Sequence, residues 1–331
     1  MGVNIRDLVT PVRTDLKSLS GCKIGVDAFN WLYQFISTIR QPDGTPLMDS
    51  KGRVTSHLTG LFYRVFKLLE YGIKPCFVFD GKAPDFKLVT AERVKRKVEA
   101  KRKYAQALAE EDFVRARSLA GQTSRLTGEM VSQAKELIIA MGLPVIQAPS
   151  EGEAQIAYMT SQGDFWASAS QDYDTLLFGS PRLVKNINIV GKKRLPRGGF
   201  VEVVPEVIEL KSLLESLGLS REQLIQLGVL VGTDFNPGGV KGVGPKTALK
   251  LVRAHTNPFT QVDWVSSIKP EFIIDFFLHP PVIKDYKLVW SAPDFDKVKS
   301  ILTSFEFSET RIENVFKKFR ESGQSQLNKW F

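Results

Sequence analysis

The sequence predicts an α/β fold in which a mainly parallel central sheet is flanked by helices. Short, wholly apolar runs alternate along the chain with longer segments of helical periodicity, as expected when helices connect parallel strands. Three of these runs are followed within two residues by an aspartate. The chain has 331 residues, 43% of them hydrophobic, which is enough to bury the core that such a sheet requires.

The first strand is predicted over residues 23–26, immediately before Asp27. An amphipathic helix is predicted over residues 58–71, because its apolar side chains recur on one face. A second buried strand, residues 75–79, ends at Asp80. This order of strand, helix and strand implies that the two strands run parallel.

The same alternation returns after residue 130 and continues to the C-terminal part of the chain. The pattern predicts helices over 131–141, 149–158 and 221–231 and from Thr247, strands over 144–146 and 166–170, a mostly helical segment over 270–319, and a loose tail from Ser322.

Residues 82–125 differ from the rest of the chain. Seven basic residues and a single acid, Glu99, fall between Arg93 and Lys103, and the apolar pattern is thin. This composition predicts a solvated helical excursion from the core. The basic run is either an ordinary solvated face or an element that contacts phosphates, and its one-sided charge favours the second interpretation.

Composition restricts the classes of partner and cofactor. The net charge of +9 and the pI of about 9.4 favour an anionic partner, most often nucleic acid. Neither a membrane-spanning segment nor an export signal is expected, and Arg6 does not fit an N-myristoylation motif. Cys22 and Cys76 lack zinc-type spacing, so any metal is expected to have oxygen ligands, as magnesium or manganese does.

Acidic residues follow three of the predicted strands. Asp27, Asp80 and the pair Asp172 and Asp174 each come just after a strand. Since ligands bind beyond the carboxyl ends of the strands in an open parallel sheet, these carboxylates are expected to converge. For any one of them, a role as a turn former or helix N-cap is the ordinary alternative.

Three further acidic residues are candidates with structural alternatives. Glu151 and Glu153 lie in the sequence Ser150-Glu151-Gly152-Glu153, in which Ser-x-x-Glu also fits a capping box that leaves Glu151 unexplained. Asp234 precedes a turn rich in glycine and proline, where an acidic residue is common. Convergent carboxylates repel one another unless a cation neutralises them, so such a cluster predicts divalent metal. Two ions about 4 Å apart would suit phosphodiester hydrolysis.

A glycine-rich turn, residues 239–248, ends at a predicted helix start. It is neither a phosphate-binding loop of the Walker type nor a dinucleotide fingerprint. It fits a helix–hairpin–helix turn, in which backbone amides hold a DNA phosphate without reading the base sequence. An ordinary connector between two helices is the alternative.

Several blocks of the sequence resemble flap endonucleases over the whole chain. The blocks are Val26-Asp27-Ala28, Phe79-Asp80-Gly81-Lys82, Ala148-Pro149-Ser150-Glu151-Gly152-Glu153-Ala154, Ala169-Ser170-Gln171-Asp172-Tyr173-Asp174, and Gly232-Thr233-Asp234 with Gly242-Val243-Gly244-Pro245-Lys246. The resemblance implies a PIN-like nuclease core with a helical arch over residues 82–125 and a helix–three-turn–helix motif.

The implied activity is a structure-specific 5′ flap endonuclease, with 5′–3′ exonuclease activity, that acts in DNA replication and repair. Two Mg²⁺ ions, which Mn²⁺ could replace, would be held directly or through water by seven carboxylates. These are Asp27, Asp80, Glu151, Glu153, Asp172, Asp174 and Asp234.

By the same resemblance, Lys87 and Arg93 on the arch are expected to hold the scissile phosphate, with Lys95 or Arg96 as alternatives for the arginine. Tyr33 matches an aromatic residue that stacks on a base, although a core position is equally compatible with the pattern. The expected DNA-binding set comprises Gly2, Tyr33, Arg40, Lys82, Arg96, Gly242, Gly244 and Lys246.

The last eight residues, from Gln324, fit the pattern Q-x-x-L-x-x-W-F, which resembles a sliding-clamp binding motif. Leu327, Trp330 and Phe331 would form one apolar plug with Gln324 as its polar anchor. Docking of the tail on the protein's own body is the alternative. The expected partners are branched DNA with 5′ flaps and a clamp of the proliferating cell nuclear antigen type.

The chain ends at Phe331 without a basic tail, which resembles archaeal more than eukaryotic members. A cytoplasmic, nucleoid-associated monomer is expected, or a nuclear one if the source is eukaryotic. Four units are predicted. Residues 1–105 and 106–225 each contain part of the nuclease core and part of the arch. Residues 226–320 contain the helix–three-turn–helix motif and the C-terminal helices, and residues 321–331 form the tail. There are two competing hypotheses. One is a non-catalytic junction-binding scaffold, against which the complete acidic set argues. The other is a related ribonuclease, against which the glycine-rich turn argues.

Overall fold

A computed structural model of the chain describes residues 2–84, 98–99, 102–104, 106, 110, 125–188, 191–194 and 199–323. A seven-stranded sheet lies at the centre of this part of the chain. Its strands are β1 (Val12–Arg13), β2 (Lys23–Asp27), β3 (Lys74–Phe79), β4 (Val145–Gln147), β5 (Ala167–Ala169), β6 (Arg182–Lys185) and β9 (Glu206–Glu209). A separate two-stranded ribbon consists of β7 (Gly191–Arg194) and β8 (Phe200–Val203).

The strand order across the sheet is β1-β9-β6-β5-β2-β3-β4. The five strands from β6 to β4 pair in parallel, whereas β9 pairs antiparallel with both β6 and β1. The expected mainly parallel sheet is therefore confirmed. Its central strands are short apolar runs because both of their faces are covered.

Helices flank the sheet. They are α1 (Ala28–Thr38), α2 (Ser56–Glu70), α3 (Gly128–Ala140), α4 (Gly152–Ser161), α5 (Asp174–Leu177), α6 (Leu210–Leu217), α7 (Arg221–Val231), α8 (Pro245–Ala254), α9 (Pro270–Leu278), α10 (Phe295–Ser304) and α11 (Glu309–Gly323), with 3₁₀ turns at Arg6–Leu8 and Pro258–Gln261. In the described ranges, no helix has the length and apolar character needed to cross a membrane.

Side chains of β3 show how the two faces of the sheet are covered. Phe77 and Phe79 belong to the largest apolar cluster, which also contains residues of α1, α2, α3, α10 and α11. Cys76 and Val78 belong to another cluster, with residues of β4 and α4. Because successive side chains of a strand point to opposite faces, helices cover both sides of the sheet. A third cluster unites α6, α7, α8 and α9.

The prediction of a mostly helical segment over 270–319 is wrong in its centre. Residues 279–294 form an extended strap between α9 and α10. The Gln155 side chain fixes this strap, because its amide donates to the Ile283 carbonyl at 3.0 Å and accepts from the Ile283 N–H at 2.8 Å. Pro280 and Pro281 explain the interruption, since proline cannot continue a helix.

Several element boundaries also differ from the prediction. Helix α4 begins at Gly152 rather than at residue 149, and α8 begins at Pro245, where a first-turn proline is favourable. Helix α11 continues to Gly323, so Ser322 is helical rather than part of a tail. Of the predicted arch, residues 98–99, 102–104 and 106 are helical, and most of the segment lies outside the described residues. The predicted unit boundaries stay predictions.

Candidate functional site: a carboxylate cluster at the strand ends

The site lies at the edge of the sheet formed by the carboxyl ends of β2, β3 and β5. From β2 the chain adds β3 and β4 on one side, and then returns to add β5 and β6 on the other. A crevice that can bind a ligand is expected at such a switch point, here between β2 and β5. Asp27 is the last residue of β2, Asp80 directly follows β3, and Asp172 follows β5.

Asp27 is both a helix N-cap and a member of the cluster. Its side chain accepts a hydrogen bond from the Asn30 N–H at 3.0 Å, which caps α1. Only 7% of the residue is exposed. Burial, followed by the negative charges of Asp80, Asp172 and Glu151, holds the pKa of Asp27 well above its ordinary value.

Asp80 is tied to the start of α4. Its Oδ1 accepts a hydrogen bond from the Gly152 N–H at 2.7 Å. A Cβ at position 152 would lie 2.7 Å from the same oxygen, so any larger residue there would displace the Asp80 carboxylate. The Gly81 N–H also donates to the Ser150 carbonyl at 2.6 Å. These contacts place the end of β3 beside the two glutamates at the start of α4.

The capping-box alternative for Glu153 is wrong. The N-cap of α4 is Glu151, and its side chain makes no capping hydrogen bond. Glu153 instead accepts hydrogen bonds from Ser170 Oγ at 2.7 Å and Thr175 Oγ1 at 3.1 Å. Burial, then the charges of Asp174 and other cluster members, raises the pKa of Glu153 well above its ordinary value.

Asp174 is one of the buried carboxylates of the cluster. It begins α5, is 5% exposed, and accepts a hydrogen bond from the Val3 N–H at 2.7 Å. Burial raises the pKa of Asp174 to about 7, with further contributions from the charges of Asp172 and Asp234. A Cβ at Gly2 would lie 2.8 Å from Asp174 Oδ2, so the N-terminal segment packs directly against the cluster.

Asp234 joins the cluster from the turn between α7 and α8, because its charge contributes to the raised pKa of Asp174. In the same turn, Gly242 has a φ of +81°, a conformation that favours glycine. Gly244 is the N-cap of α8, and Lys246 is exposed in its first turn. The predicted pair of helices joined by a glycine-rich turn is therefore present.

Two residues near the cluster were missed by sequence reasoning. Asn30 donates from its side-chain amide to Asp172 Oδ2 at 3.2 Å. Lys185 ends β6, with its Nζ 3.6 Å from the centroid of the Tyr173 ring. Burial lowers the pKa of Lys185 to about 8, although the charge of Asp172 acts in the opposite direction. The sequence carried no signal for either, since both depend on contacts between distant segments.

The other residues predicted to bind DNA or the clamp are in part exposed near the site and in part outside the described residues. Tyr33 is 41% exposed, so its alternative as a core aromatic is wrong. Arg40 is half-buried and donates to the Gly44 carbonyl at 2.7 Å, and Lys82 is exposed beyond the end of β3. The arch and tail candidates lie outside the described residues: Lys87, Arg93, Lys95, Arg96, Gln324, Leu327, Trp330 and Phe331.

The donor set fits a hard divalent cation. The cluster consists of carboxylates, which are the ligands that Mg²⁺ prefers. Burial, and then the charges of neighbouring carboxylates, raises the pKa values of Asp27, Glu153 and Asp174. In the described part of the chain, no three acidic, histidine or cysteine side chains already form a tight metal-binding group. Mg²⁺ keeps several waters in most protein sites and usually takes one or two carboxylates directly.

Comparisons with known proteins identify related chains. Models of the XPG N-terminal domain and the XPG I-region match residues 1–103 and 142–234. The chain is 52% identical to Flap endonuclease 1 of Staphylothermus marinus, with all of both chains covered. It is 53% identical to the Hyperthermus butylicus protein of the same name, over 97% of this chain and 95% of that one. This chain belongs to the flap endonuclease family. It is therefore a nuclease that hydrolyses DNA phosphodiesters and depends on divalent metal.

Solved structures give the same fold. Flap endonuclease-1 from Methanococcus jannaschii superposes with a TM-score of 0.78 at 37% identity, covering 98% of this chain and all of that one. The catalytic core of Rad2 in complex with a DNA substrate has a TM-score of 0.73 at 24% identity, covering 96% of this chain and all of that one. The second likeness concerns the fold alone.

Proposed function

We propose that the chain is a structure-specific 5′ flap endonuclease, with 5′–3′ exonuclease activity, that uses two Mg²⁺ ions. The observation that carries the proposal is the convergence of seven carboxylates, from five separate chain segments, at one edge of the sheet. Burial and mutual repulsion raise the pKa values of three of them, Asp27, Glu153 and Asp174. Such an arrangement is costly in a folded protein unless cations occupy it.

The seven carboxylates Asp27, Asp80, Glu151, Glu153, Asp172, Asp174 and Asp234 would hold the ions, directly or through water. When bound, two ions about 4 Å apart supply an activated water and stabilise charge on the attacking and leaving oxygens. The protein's own contribution is orientation. The Gly152 N–H holds Asp80, the hydroxyls of Ser170 and Thr175 hold Glu153, and the Val3 N–H holds Asp174. Mn²⁺ is expected to substitute for Mg²⁺.

The α7–α8 turn would bind the duplex. Backbone amides at the start of α8, near Gly242 and Gly244, suit a phosphate, and exposed Lys246 adds a positive charge. Gly2, Tyr33, Arg40 and Lys82 would complete the DNA contacts near the cluster. On the arch, Lys87 and Arg93, or its neighbour Arg96, would hold the scissile phosphate as the flap passes beneath.

A labelled double-flap DNA tests the substrate. In Mg²⁺ we expect cleavage at the base of the 5′ flap, with slower cutting of nicked or gapped duplexes and of single-stranded RNA. If single-stranded RNA were cut faster than the flap, the related ribonuclease would be the better hypothesis. Tight binding of the flap without cleavage at any Mg²⁺ or Mn²⁺ concentration would favour the non-catalytic scaffold.

The C-terminal tail would recruit a sliding clamp of the proliferating cell nuclear antigen type. The basis is the sequence pattern of Gln324, Leu327, Trp330 and Phe331, because two aromatic residues that end a polar tail suit a partner's apolar pocket. Deletion of residues 324–331 should abolish clamp binding, measured by surface plasmon resonance, and leave cleavage without the clamp unchanged. Retained clamp affinity would contradict the assignment.

The free protein is proposed to be a monomer that acts on chromosomal DNA, in the cytoplasm of an archaeal cell or the nucleus of a eukaryotic one. Light scattering during gel filtration should give a mass close to 37.1 kDa. A dimer mass at micromolar concentration would contradict the first part of this proposal.

A further inference from the structure

Asn30 contacts two of the clustered carboxylates at once. It lies in the first turn of α1, where its backbone N–H donates to Asp27 Oδ1 at 3.0 Å. Its side-chain NH₂ group donates to Asp172 Oδ2 at 3.2 Å. Since Asp27 ends β2 and Asp172 follows β5, Asn30 bridges the two sides of the crevice at the switch point of the sheet.

The other half of the same amide is unsatisfied. Asn30 Oδ1 is shielded from solvent and accepts no hydrogen bond from any described residue. The contact with Asp172 determines how the amide is oriented, because the opposite orientation would set two oxygens against each other. Leaving a buried acceptor without a partner costs about 1–3 kcal/mol, so buried polar atoms nearly always have one. A donor is therefore expected beside the cluster.

We propose that Asn30 is a positioning residue of the ion site, whose NH₂ group holds Asp172 in place and whose amide oxygen accepts a hydrogen bond from a water bound to a divalent ion. The inference rests on the proposed function, since it requires an ion in the cluster. A hydrated ion provides the missing donor, because Mg²⁺ retains several waters in most protein sites.

Asn188 provides a control whose side-chain amide contacts a neutral group instead of a carboxylate. Asn188 is buried, whereas Asn30 is half-buried, and in both residues the shielded Oδ1 accepts no hydrogen bond from the described residues. The NH₂ group of Asn188 donates to Gln34 Oε1 at 2.5 Å, which is a neutral partner. Asn188→Leu therefore removes a side-chain amide with an unpartnered oxygen, as Asn30→Leu does, but it removes no contact to a carboxylate.

Ion binding to the full chain without DNA tests the proposal. Calorimetric titration with Mg²⁺, and with Mn²⁺ followed by electron paramagnetic resonance, should show that Asn30→Leu binds about 10–100-fold more weakly than the wild type. Asn188→Leu should bind as the wild type does. Asn30→Gln keeps both the NH₂ donor and the acceptor oxygen, so its affinity should lie nearer the wild-type value than that of Asn30→Leu, and Asn30→Ala serves as the test if Asn30→Leu does not fold.

The outcomes separate this inference from the proposed function. If the wild type binds no ion, or if Asp172→Ala binds ions as tightly as the wild type, the ion site itself is wrong and the inference falls with it. If those controls hold but Asn30→Leu matches the wild type, only the inference is overturned. Equal weakening in both leucine variants, or an Asn30→Gln variant that binds as weakly as Asn30→Leu, would also overturn it.

Discussion

Replacement of Asp174 by asparagine should stabilise the metal-free protein at high pH. Burial raises the pKa of Asp174 from 3.8 to about 7, so the folded protein binds more protons than the unfolded chain between these values. The free energy of unfolding must therefore fall as the pH rises through this window. A difference of one in pKa corresponds to about 1.4 kcal/mol, which gives a destabilisation of about 4 kcal/mol once Asp174 is fully ionised.

Asp174→Asn removes this charge and keeps an oxygen that can accept from the Val3 N–H. In EDTA, the variant should exceed the wild type in free energy of unfolding by about 4 kcal/mol at pH 8 and by about 2 kcal/mol at pH 5. Guanidinium unfolding followed by circular dichroism measures both values. The exposed carboxylate Asp263 provides the control, because Asp263→Asn should have little effect at either pH.

Two results would refute the reasoning. One is a metal-free wild type whose stability stays level or rises between pH 5 and pH 8. The other is an Asp174→Asn variant that is no more stable than the wild type at pH 8. Saturating Mg²⁺ should also reduce the difference between the two proteins, since the folded wild type has one more carboxylate with which to bind an ion and is stabilised more than the variant.

Three other substitutions test individual contacts in the structure. Gln155→Leu leaves the N–H and carbonyl of Ile283 without partners, so the free energy of unfolding should fall by about 2–4 kcal/mol in guanidinium, and an unchanged value would contradict the strap's role. Gly2→Ala places a Cβ 2.8 Å from Asp174 Oδ2, so single-turnover flap cleavage should slow by up to about 100-fold; an unchanged rate would mean that the N-terminus moves freely. The side-chain amide of Gln147 donates a hydrogen bond to the Asp80 backbone carbonyl at 2.6 Å. Gln147→Leu removes this bond, so the Mg²⁺ concentration for half-maximal cleavage should rise about tenfold. An unchanged Mg²⁺ dependence would exclude a role for Gln147 in positioning Asp80.

The central strands and their acidic ends were predictable because the parallel strands are buried on both faces. Such strands are continuous apolar runs, and the edge at which they end is where an open parallel sheet binds ligands. Asp27 and Asp80 could therefore be placed at one edge without knowledge of any tertiary contact. The later strands β6 and β9 were not predicted, because they are short and carry charged residues such as Arg182 and Glu209.

Two local sequence patterns gave wrong predictions, because contacts with distant residues or interrupting prolines determine the structure there. The sequence Ser150-x-x-Glu153 fits a capping box, yet Glu153 bonds to Ser170 and Thr175, and α4 begins two residues beyond Ser150. The Phe- and Ile-rich segment after Pro270 favoured one long helical region, although prolines direct residues 279–294 into an extended strap.

Asn30 shows why part of the site was beyond sequence reasoning. Its carboxylate partner, Asp172, is 142 residues away in the chain, and a single asparagine in a helix carries no signal of that contact. The four strand-end carboxylates are supported by topology, whereas Glu151, Glu153 and Asp234 were predicted mainly by family resemblance. The structure brings all seven into one electrostatic cluster.

Single-turnover cleavage of a labelled double-flap DNA by the wild type and by Asp172→Ala, at saturating protein in Mg²⁺, tests the central claim most directly. Asp172 lies on the β5 side of the crevice, so its loss should slow cleavage at the flap junction by at least about 100-fold while DNA affinity stays close to that of the wild type. If Asp172→Ala cleaves as fast as the wild type, the carboxylate cluster is not the catalytic site.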